Sequence, residues 1–350
     1  MFSAVRSYLL PIIKLYLLGF KVLLVQLFSR PFRLPVMPRQ DGKVAIVTGG
    51  GRGIGFEVVR HMARLGAHVI IGYAVSQCAG WRLVKQRGEG CPAGYCGRDE
   101  QEGLAAVRRI CEEYKEAKVE FTKLDLASLQ SVRQFVQSFT ERDLPLNILV
   151  NNAGVMLVPE GRTEDGFEQH FGINYLGHFL LTCLLLDTLK DSGKCGHFSR
   201  VVNVSSSAHR IGKIRLNDLN SCQCYSAHAA YCRSKLAQLL FSSHLHQELQ
   251  RGGFPLSSCA VDPGMVDTAL YRHLWTPLCL AQSAIARLLF KTPAEGAATV
   301  VYAALSPALE GECGGGYWAN GCREMTTPPT FDPQLQLSLW ETSVQLLGLQ

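Results

Sequence analysis

Tyr231 and Lys235 are the two side chains of this sequence that are best placed to do chemistry together. They stand four residues apart in a helical pattern over residues 229–250, so a helix would carry the phenol and the ammonium on one face. A tyrosine with its ordinary pKa of about 10 is a poor base at neutral pH, and a nearby positive charge favours its phenolate. The pair can therefore hold and release a proton at a substrate oxygen.

A glycine-rich run, TGGGRGIG at residues 48–55, lies between an apolar run (44–47) and a helical pattern (56–65). A strand, a glycine turn and a helix in this order are typical of a dinucleotide site, because glycine lets the backbone approach the pyrophosphate and the helix N-terminus offers N–H groups. The turn predicts cofactor contacts from Gly49, Arg52, Gly53, Ile54 and Gly55. The two motifs together predict an enzyme.

Strand and helix patterns alternate around these motifs. Apolar strand patterns occupy residues 44–47, 68–71, 119–122, 147–150, 201–204 and 257–261, and helical patterns occupy 56–65, 102–116, 129–140, 167–189 and 229–250. The alternation predicts an α/β fold, a single Rossmann-type, doubly wound parallel sheet with helices on both faces. Ligands of such sheets bind beyond the carboxyl ends of the strands, where the polar and glycine-rich segments fall.

The positive charge of the chain is concentrated at its N-terminus. Six of the 35 Lys and Arg residues lie in residues 1–39, which contain no acidic residue, so the rest of the chain balances its 29 acidic residues. A basic stripe on the folded body is not expected, which argues against nucleic acid as a partner. The 13 cysteines include no metal-type pair of C-x-x-C motifs, so we expect scattered thiols and no metal site.

The N-terminal segment predicts attachment to a membrane. Residues 8–28 (YLLPIIKLYLLGFKVLLVQLF) are long enough to span a bilayer, while Lys14 and Lys21 project from one face, as in a helix that lies in the headgroup layer. The sequence leaves both arrangements open. Arg30, Arg33 and Arg39 follow, and would keep the body on the cytosolic side of a spanning segment. We expect a membrane contact through residues 1–30, and an endoplasmic reticulum or lipid droplet location with a cytosolic catalytic domain.

Residues 73–96 interrupt the pattern of the domain. This stretch contains three cysteines and several turn-forming residues, and it has neither a helix nor a strand period. We interpret it as a loop insertion after the second strand, where a Rossmann-type unit proceeds directly to its helix. The predicted organisation is an anchoring helix and linker at 1–40, one catalytic domain at 41–330 and a C-terminal helix at 331–350.

At these motifs the chain resembles the short-chain dehydrogenase/reductase family, over about residues 42–322. The motifs that carry the resemblance are the glycine run, Asp125-Leu126, NNAG at 151–154, Asn174, the serines that end the fifth strand, Tyr231-x-x-x-Lys235 and Pro263-Gly264. Residues 151–182 and 291–297 resemble the retinol-dehydrogenase-like branch of that family.

The resemblance implies roles for residues that the spacing alone does not assign. Its catalytic group would be Asn174, Ser206, Tyr231 and Lys235, with Ser206 on the substrate oxygen and Asn174 positioning Lys235 through water. The cofactor residues would also include Arg98, Asp125, Leu126, Asn152, Ala153, Gly154, Tyr231, Lys235, Pro263 and Gly264. NADP(H) and/or NAD(H) is the expected cofactor: Arg52 and Arg98 favour a 2′-phosphate, whereas Asp99 favours the unmodified ribose.

The resemblance, the anchor and the apolar stretch 268–290 together imply a lipid-like substrate. We expect a membrane-associated oxidoreductase of a long-chain isoprenoid alcohol or aldehyde, converting polyprenol to polyprenal and dolichal to dolichol and so supplying dolichol for protein glycosylation. A retinol or retinal oxidoreductase is one alternative. A catalytically silent isoform that acts as an interaction protein is another. The oligomeric state is not predicted.

Overall fold

A single twisted sheet organises the molecule. The structure is a computed structural model and describes residues 2–73, 98–268 and 289–349. Within these ranges the strands are β1 Val44–Thr48, β2 His68–Tyr73, β3 Lys118–Lys123, β4 Ile148–Asn151, β5 Ser199–Val204, β6 Leu256–Asp262, β7 Tyr317–Ala319 and β8 Cys322–Glu324. They lie in the order β3-β2-β1-β4-β5-β6-β7-β8, so the chain reverses direction across the sheet between β1 and β4.

The six strands expected from the sequence are present and pair in parallel, which confirms the predicted fold class. β1, β4, β5 and β6 are buried along their whole length, so their continuous apolar runs are covered on both faces. β7 and β8 were not expected from the sequence. β7 continues the parallel sheet, whereas β8 turns back on it antiparallel at the edge.

Helices cover both faces of this sheet. In the described residues they are α1 Phe2–Phe28, α2 Gly53–Arg64, α3 Arg98–Glu113, α4 Leu129–Thr140, α5 Gln169–Leu184, α6 Leu186–Ser192, α7 Ala227–Arg251, α8 Pro293–Leu305 and α9 Pro333–Leu347. One apolar core lies between the sheet and α4, α5, α7 and α9, and a second lies on the other face beneath α2, α3 and α8. This arrangement is the doubly wound layering that the alternating pattern predicts.

The predicted helix over residues 167–189 is not continuous. It contains a π-helical turn at Gly172–Leu176 and bends by 55° between α5 and α6. Leu185 and Leu189 at the bend are fully buried, so the change of direction keeps both helices against the core. The π turn carries Asn174, one of the expected site residues.

The last helix, α9, has a local signal at each of its ends. Asp332 caps the N-terminus of α9, with its carboxylate accepting hydrogen bonds from the backbone of Gln334 and Leu335, and Pro333 is the first helical residue. Gly348 ends the helix in the left-handed conformation. The ring of Trp340 packs against Phe179 of α5, with 4.9 Å between centroids, so α9 contributes to the core.

One described helical segment, Leu9–Phe28 of α1, is long and apolar enough to cross a membrane; the bent pair α5 and α6 passes the same test only if taken together, and it lies in the core. Two sequence-based expectations fall mainly outside the described residues. Tyr73, expected to begin the insertion, is the last residue of β2, and the rest of that stretch is not described. The apolar stretch 268–290 is described only at Thr268 and from Leu289 onward.

Candidate active site

The carboxyl ends of β1, β4, β5 and β6 meet at one edge of the sheet. Because the strands are parallel and in register, the segments that follow them come together there: the glycine run after β1, Asn152–Gly154 after β4, Ser205–Ser207 after β5 and Pro263–Gly264 after β6. The sheet therefore gathers segments that are up to 216 positions apart in sequence (from 48 to 264). Within the described residues, no group of three or more His, Cys, Asp or Glu side chains could hold a metal ion.

The turn between β1 and α2 needs glycine at specific positions. Gly49 and Gly53 have φ values of +69° and +56°, in the left-handed region that L side chains rarely adopt. A Cβ on Gly55 would lie 2.3 Å from the carbonyl oxygen of Gly49 and 2.5 Å from Nδ2 of Asn152. The turn is thus packed too closely to admit a side chain at Gly55.

The N-terminus of α2 lies at this turn. Arg52 is the N-cap residue, and its side chain makes no capping hydrogen bond to the first N–H groups of the helix. Those N–H groups and the positive end of the helix dipole suit a pyrophosphate. The Arg52 guanidinium lies at the surface, 3.3 Å from a carboxylate oxygen of Glu102, which in turn accepts a hydrogen bond from the Tyr73 hydroxyl. The turn and the helix N-terminus therefore fit the pyrophosphate of a dinucleotide.

A buried network fixes the segment after β4 against this turn. The hydroxyl oxygen of Thr48 accepts hydrogen bonds from the N–H groups of Asn152 and Ala153, both at 2.9 Å, and lies 2.9 Å from Nε2 of His178. The other ring nitrogen, Nδ1, lies 3.0 Å from the carbonyl oxygen of Asn174, and burial lowers the pKa of His178 to about 4. A neutral imidazole then donates to Asn174 and accepts from Thr48. His178 acts as a structural link between β1 and the π turn.

Asp125 and Leu126 follow β3 at the same side of the sheet. The Asp125 carboxylate accepts a hydrogen bond from the N–H of Ala127, and burial raises the pKa of this carboxyl group. Leu126 is buried, and a Cβ on Gly177 would lie 2.7 Å from its carbonyl oxygen. α5 therefore packs directly on this loop and fixes its position.

Lys235 holds a buried positive charge at the centre of this edge. Its side chain is 5% exposed, and its ammonium donates hydrogen bonds to the carbonyl of Val204, at 2.9 Å, and to Oε1 of Gln238, at 3.0 Å. Burial lowers the pKa of Lys235 from 10.5 to about 8, while the carboxylate of Asp262 acts in the opposite direction. Gln238 was not among the expected site residues, since a lone glutamine within a helical pattern gives no signal.

Tyr231 lies on the same face of α7 as Lys235, as its spacing predicts. The Lys235 ammonium is 5.9 Å from the centroid of the Tyr231 ring. The tyrosine is 4% exposed and packs in an apolar cluster with Met156, Ala208 and Cys232. The ring of His170 contacts it edge to face, at 6.3 Å between centroids. The structure thus brings the phenol and the ammonium together in a largely apolar setting.

Asn174 connects α5 to the pair on α7. Its side chain accepts a hydrogen bond from the N–H of Val155 (2.8 Å) and donates to the Val155 carbonyl (3.0 Å) and to Oγ of Ser234 (2.9 Å). The Ser234 hydroxyl donates to the carbonyl of Tyr231. A Cβ on Gly154 would lie 3.2 Å from Oδ1 of Asn174 and 3.8 Å from Nζ of Lys235, so this glycine lies directly against both side chains.

The two serines after β5 have different surroundings. Ser205 is buried, and its hydroxyl donates to the carbonyl of Lys235 at 3.0 Å. Ser206 is half-buried, and its hydroxyl oxygen accepts a hydrogen bond from the N–H of Ala208 as the N-cap of a 3₁₀ turn, Ser207–Ile211. The hydroxyl of Ser205 is thus used within the fold, which leaves Ser206 as the better candidate to meet a substrate.

Asp262, the last residue of β6, is a part of the site that the sequence did not reveal. Its buried carboxylate accepts hydrogen bonds from the hydroxyls of Ser207 and Tyr317, the latter at 2.7 Å, and from the N–H of Gly264 at 2.8 Å. Gly264 has a φ of +83°, which lies in the left-handed region that favours glycine. Asp262 therefore ties the serine segment, β7 and the Pro263-Gly264 turn together. One aspartate before a proline has no distinctive spacing.

Among the expected site residues, Arg98 is the one whose side chain lies outside the described part of the structure. α3 begins at Arg98, but the positions of side chains are described only from Glu100 onward in this helix. Ile54 lies half-buried in the first turn of α2, with its side chain next to Gly296 of α8. Every other expected residue lies on the carboxyl edge of the sheet described above.

Comparisons with known proteins agree with this geometry. The sequence profile of the short chain dehydrogenase family matches residues 43–93 and 82–277. Polyprenol dehydrogenase of Danio rerio is 54% identical over 342 residues, which cover 98% of each chain. Retinol dehydrogenase 14 of Mus musculus is 39% identical, over 88% of this chain and 86% of its own. A crystal structure of an uncharacterised protein from Mycobacterium paratuberculosis is 33% identical, with a TM-score of 0.66 over 89% of this chain and 96% of its own. The chain belongs to the short-chain dehydrogenase/reductase family.

Proposed function

We propose that the chain is a membrane-associated oxidoreductase that interconverts a long-chain isoprenoid alcohol and its carbonyl compound with NADP(H) or NAD(H). The observation that carries the proposal is the full-length match at 54% identity to a polyprenol dehydrogenase, together with the Tyr231 and Lys235 pair at the carboxyl edge of the sheet. The proposed reactions are polyprenol to polyprenal and dolichal to dolichol, which would supply dolichol for protein glycosylation.

Tyr231 is the proposed acid–base residue. In the oxidation direction, its phenolate would take the hydroxyl proton of the alcohol while the hydride leaves the carbinol carbon. The nicotinamide, when bound, supplies the acceptor or donor of that hydride. In the reduction direction the phenol would return the proton to the carbonyl oxygen. The positive charge of Lys235, 5.9 Å from the centroid of the Tyr231 ring, would favour the phenolate.

Ser206 and Asn174 are the proposed partners of this pair. Ser206 would donate a hydrogen bond from its hydroxyl to the substrate oxygen and hold that oxygen next to Tyr231. Asn174 would act as a positioning residue, since its amide is fixed by Val155 and contacts the hydroxyl of Ser234, the residue before Lys235. The cofactor would be held by the glycine turn, the N-terminus of α2 and the segments that follow β3, β4 and β6.

A first test measures turnover of polyprenol with NAD⁺ or NADP⁺, and of dolichal with NADH or NADPH, by the purified full-length chain. The proposal predicts turnover that Tyr231→Phe lowers at least about a hundredfold, because the acid–base group is lost. Cofactor binding, followed by quenching of intrinsic fluorescence, should remain in that variant. Cofactor binding without any turnover of these lipids would refute the substrate assignment.

A retinoid substrate is the second candidate, favoured by the 39% identity to retinol dehydrogenase 14. Retinal and retinol are therefore assayed in the same vesicles and at the same concentrations as dolichal and polyprenol. A larger kcat/KM for the retinoid would replace the isoprenoid proposal. A folded chain that binds no nicotinamide nucleotide would instead indicate the silent interaction protein. A location at the endoplasmic reticulum or lipid droplets, with the catalytic domain in the cytosol, is part of the proposal.

A further inference from the structure

The N-terminal helix α1 lies along the folded body by one of its faces. The half-buried positions are residues 11, 12, 15, 18, 19, 22, 23 and 26, which recur every three or four residues. This spacing defines a single stripe along a helix. The remaining positions from 9 to 28 are exposed. The helix therefore has one face toward the protein and one away from it.

Specific contacts hold α1 in this position. The Gln26 side chain donates a hydrogen bond to the carbonyl of Met265 and accepts one from the N–H of Met265, at 3.2 and 3.1 Å. The ring of Tyr16 contacts that of His228 in α7, at 5.9 Å between centroids. Leu15 packs against the apolar cluster that contains Tyr231. These contacts reach the segments after β5 and β6 and the first turns of α7.

The linker that follows α1 is also attached to the body. The side chain of Asn320, in the turn between β7 and β8, accepts a hydrogen bond from the N–H of Phe32 and donates one to the carbonyl of Arg30. The Phe32 ring packs edge to face on Tyr302 of α8, at 5.2 Å between centroids. The direction of α1 is therefore fixed relative to the domain.

This geometry conflicts with a helix that crosses a bilayer. The contacts from Leu15 to Gln26 extend along about 16 Å of the helix at a rise of about 1.5 Å per residue. The apolar segment of membrane-spanning length is Leu9–Phe28, which is about 30 Å long as a helix. The hydrocarbon core of a bilayer is also about 30 Å thick, so this segment would need its whole length to cross it, whereas more than half of that length lies against the body.

The outward face of α1 suits a lipid surface. Besides Tyr16, nine large apolar side chains of the described part of α1 are exposed, including Leu17 at 64%, Phe20 at 61% and Phe28 at 87% exposure. Exposed apolar surface of this extent on one helix is typical of a membrane contact. Lys14 and Lys21 are exposed at one edge of this face, and no acidic residue occurs before Asp41. The charge is complementary to anionic headgroups.

We propose that α1 lies in the plane of the membrane between the bilayer and the domain, and that it forms one wall of the path by which a membrane-dissolved substrate reaches Tyr231. The second half of this inference rests on the proposed function. An apolar chain whose hydroxyl is at Tyr231 would leave the site past Met156 and Leu15, which pack in the same cluster as the tyrosine. The substrate would then enter from the acyl layer without crossing water.

The arrangement is tested by the sidedness of the two chain ends. The full-length chain, with one protease-cleavable epitope before Met1 and another after Gln350, is reconstituted into phosphatidylcholine and phosphatidylserine vesicles. An in-plane helix places both ends on one side, so protease added outside cleaves both epitopes in the same molecules. Cleavage of one epitope with protection of the other would show a spanning helix and overturn the inference. This readout needs no enzymatic activity.

The outward face is tested by adding charge to it. We expect Leu17→Glu/Phe20→Glu to lower vesicle binding at least about tenfold, since two large apolar side chains leave the lipid. The matched control is Leu104→Glu/Leu216→Glu, which places the same charges on apolar residues that are 44% and 38% exposed elsewhere. Equal vesicle binding by the two variants would refute the membrane contact, as would a dimer that forms through α1 in place of vesicle binding.

The path to the site is tested by Leu15→Ala. Truncation of a side chain that borders the path should raise KM for vesicle-embedded polyprenol by roughly tenfold and leave kcat and the Kd of NADPH unchanged. A short water-soluble isoprenol, assayed alongside, should show no change in KM. An unchanged KM for polyprenol would refute the path. Absence of turnover with either alcohol in the unmodified chain would mark a failure of the proposed function, and the sidedness result would stand.

Discussion

The buried charge of Lys235 leads to a quantitative prediction about stability. In the folded chain the pKa of Lys235 is about 8, against 10.5 for an unburied lysine. Between these two values the unfolded chain binds more protons than the folded chain, so the free energy of unfolding must rise with pH. The full effect is about 3 kcal/mol, and about 2 kcal/mol of it falls between about pH 7 and about pH 9.5. Below about pH 8 Lys235 is charged in the folded state, and burial of this charge lowers the free energy of unfolding by nearly the full amount.

The substitution Lys235→Met removes this titration and keeps a side chain of similar length. The free energy of unfolding is measured by urea titration in detergent, for both chains, at about pH 7 and about pH 9.5. We expect the unmodified chain to gain about 2 kcal/mol relative to Lys235→Met over that interval. The difference between the two chains cancels the titration of groups common to both. The change of that difference with pH then removes constant contributions of the substitution, such as the loss of packing around the Lys235 side chain.

A matched control is Lys213→Met, which removes an exposed ammonium and tests for effects of losing a lysine as such. The reasoning would be refuted by a difference between the unmodified chain and Lys235→Met that does not change with pH, or that changes in the opposite direction. Lys235→Met should also lose oxidoreductase activity at every pH, because the charge beside Tyr231 is absent.

Three further predictions concern the cofactor turn and its neighbours. Gly55→Ala should weaken NADPH binding at least about tenfold, because the new Cβ would lie 2.3 Å from the Gly49 carbonyl oxygen. The control is Gly19→Ala, whose new Cβ would have no atom within 4 Å. Fluorescence titration of both variants with NADPH measures the effect. Arg52→Asp should weaken NADPH binding far more than NADH binding, since it replaces a cation with an anion near the expected 2′-phosphate; equal losses would contradict this role. Asp262→Asn should lower the free energy of unfolding by about 1–3 kcal/mol, because the hydroxyl of Tyr317 loses its carboxylate partner. It should also lower the pKa of Lys235 further, so the rise of stability with pH would begin at a lower pH in this variant. Urea titrations that match those of the unmodified chain would count against the network.

The sheet and most of the helices could be predicted because their signals are local. The strands are continuous apolar runs bounded by polar or glycine residues, and a fully buried strand needs such a run. The ends of α9 carry local signals of the same kind, as Asp332, Pro333 and Gly348 each satisfy a requirement of a helix end. β7 and β8 have three residues each, too few to show a period.

The parts of the site that could not be predicted depend on tertiary contacts. Asp262 gains its role from Ser207, Tyr317 and Gly264, which only the folded sheet brings near it. The link from Thr48 to His178 joins β1 to a helix that follows β4. The spacing of Tyr231 and Lys235, by contrast, was sufficient because both stand on one helix.

The position of the whole helix α1 also depends on tertiary contacts that its sequence does not show. Its composition predicts contact with a membrane and leaves open whether it spans or lies flat, because both kinds of helix are long and apolar. The contacts of Gln26 with Met265 and of Tyr16 with His228 support the in-plane arrangement that we propose. No pattern within residues 8–28 predicts these contacts.

The most direct test of the central claim is the oxidation of polyprenol by the full-length chain in vesicles, followed by the appearance of NADH or NADPH. We expect turnover that depends on added NAD⁺ or NADP⁺, that is lost in Tyr231→Phe, and that exceeds the turnover of retinol under the same conditions. Saturable nucleotide binding with no oxidation of polyprenol, or oxidation that survives in Tyr231→Phe, would contradict it.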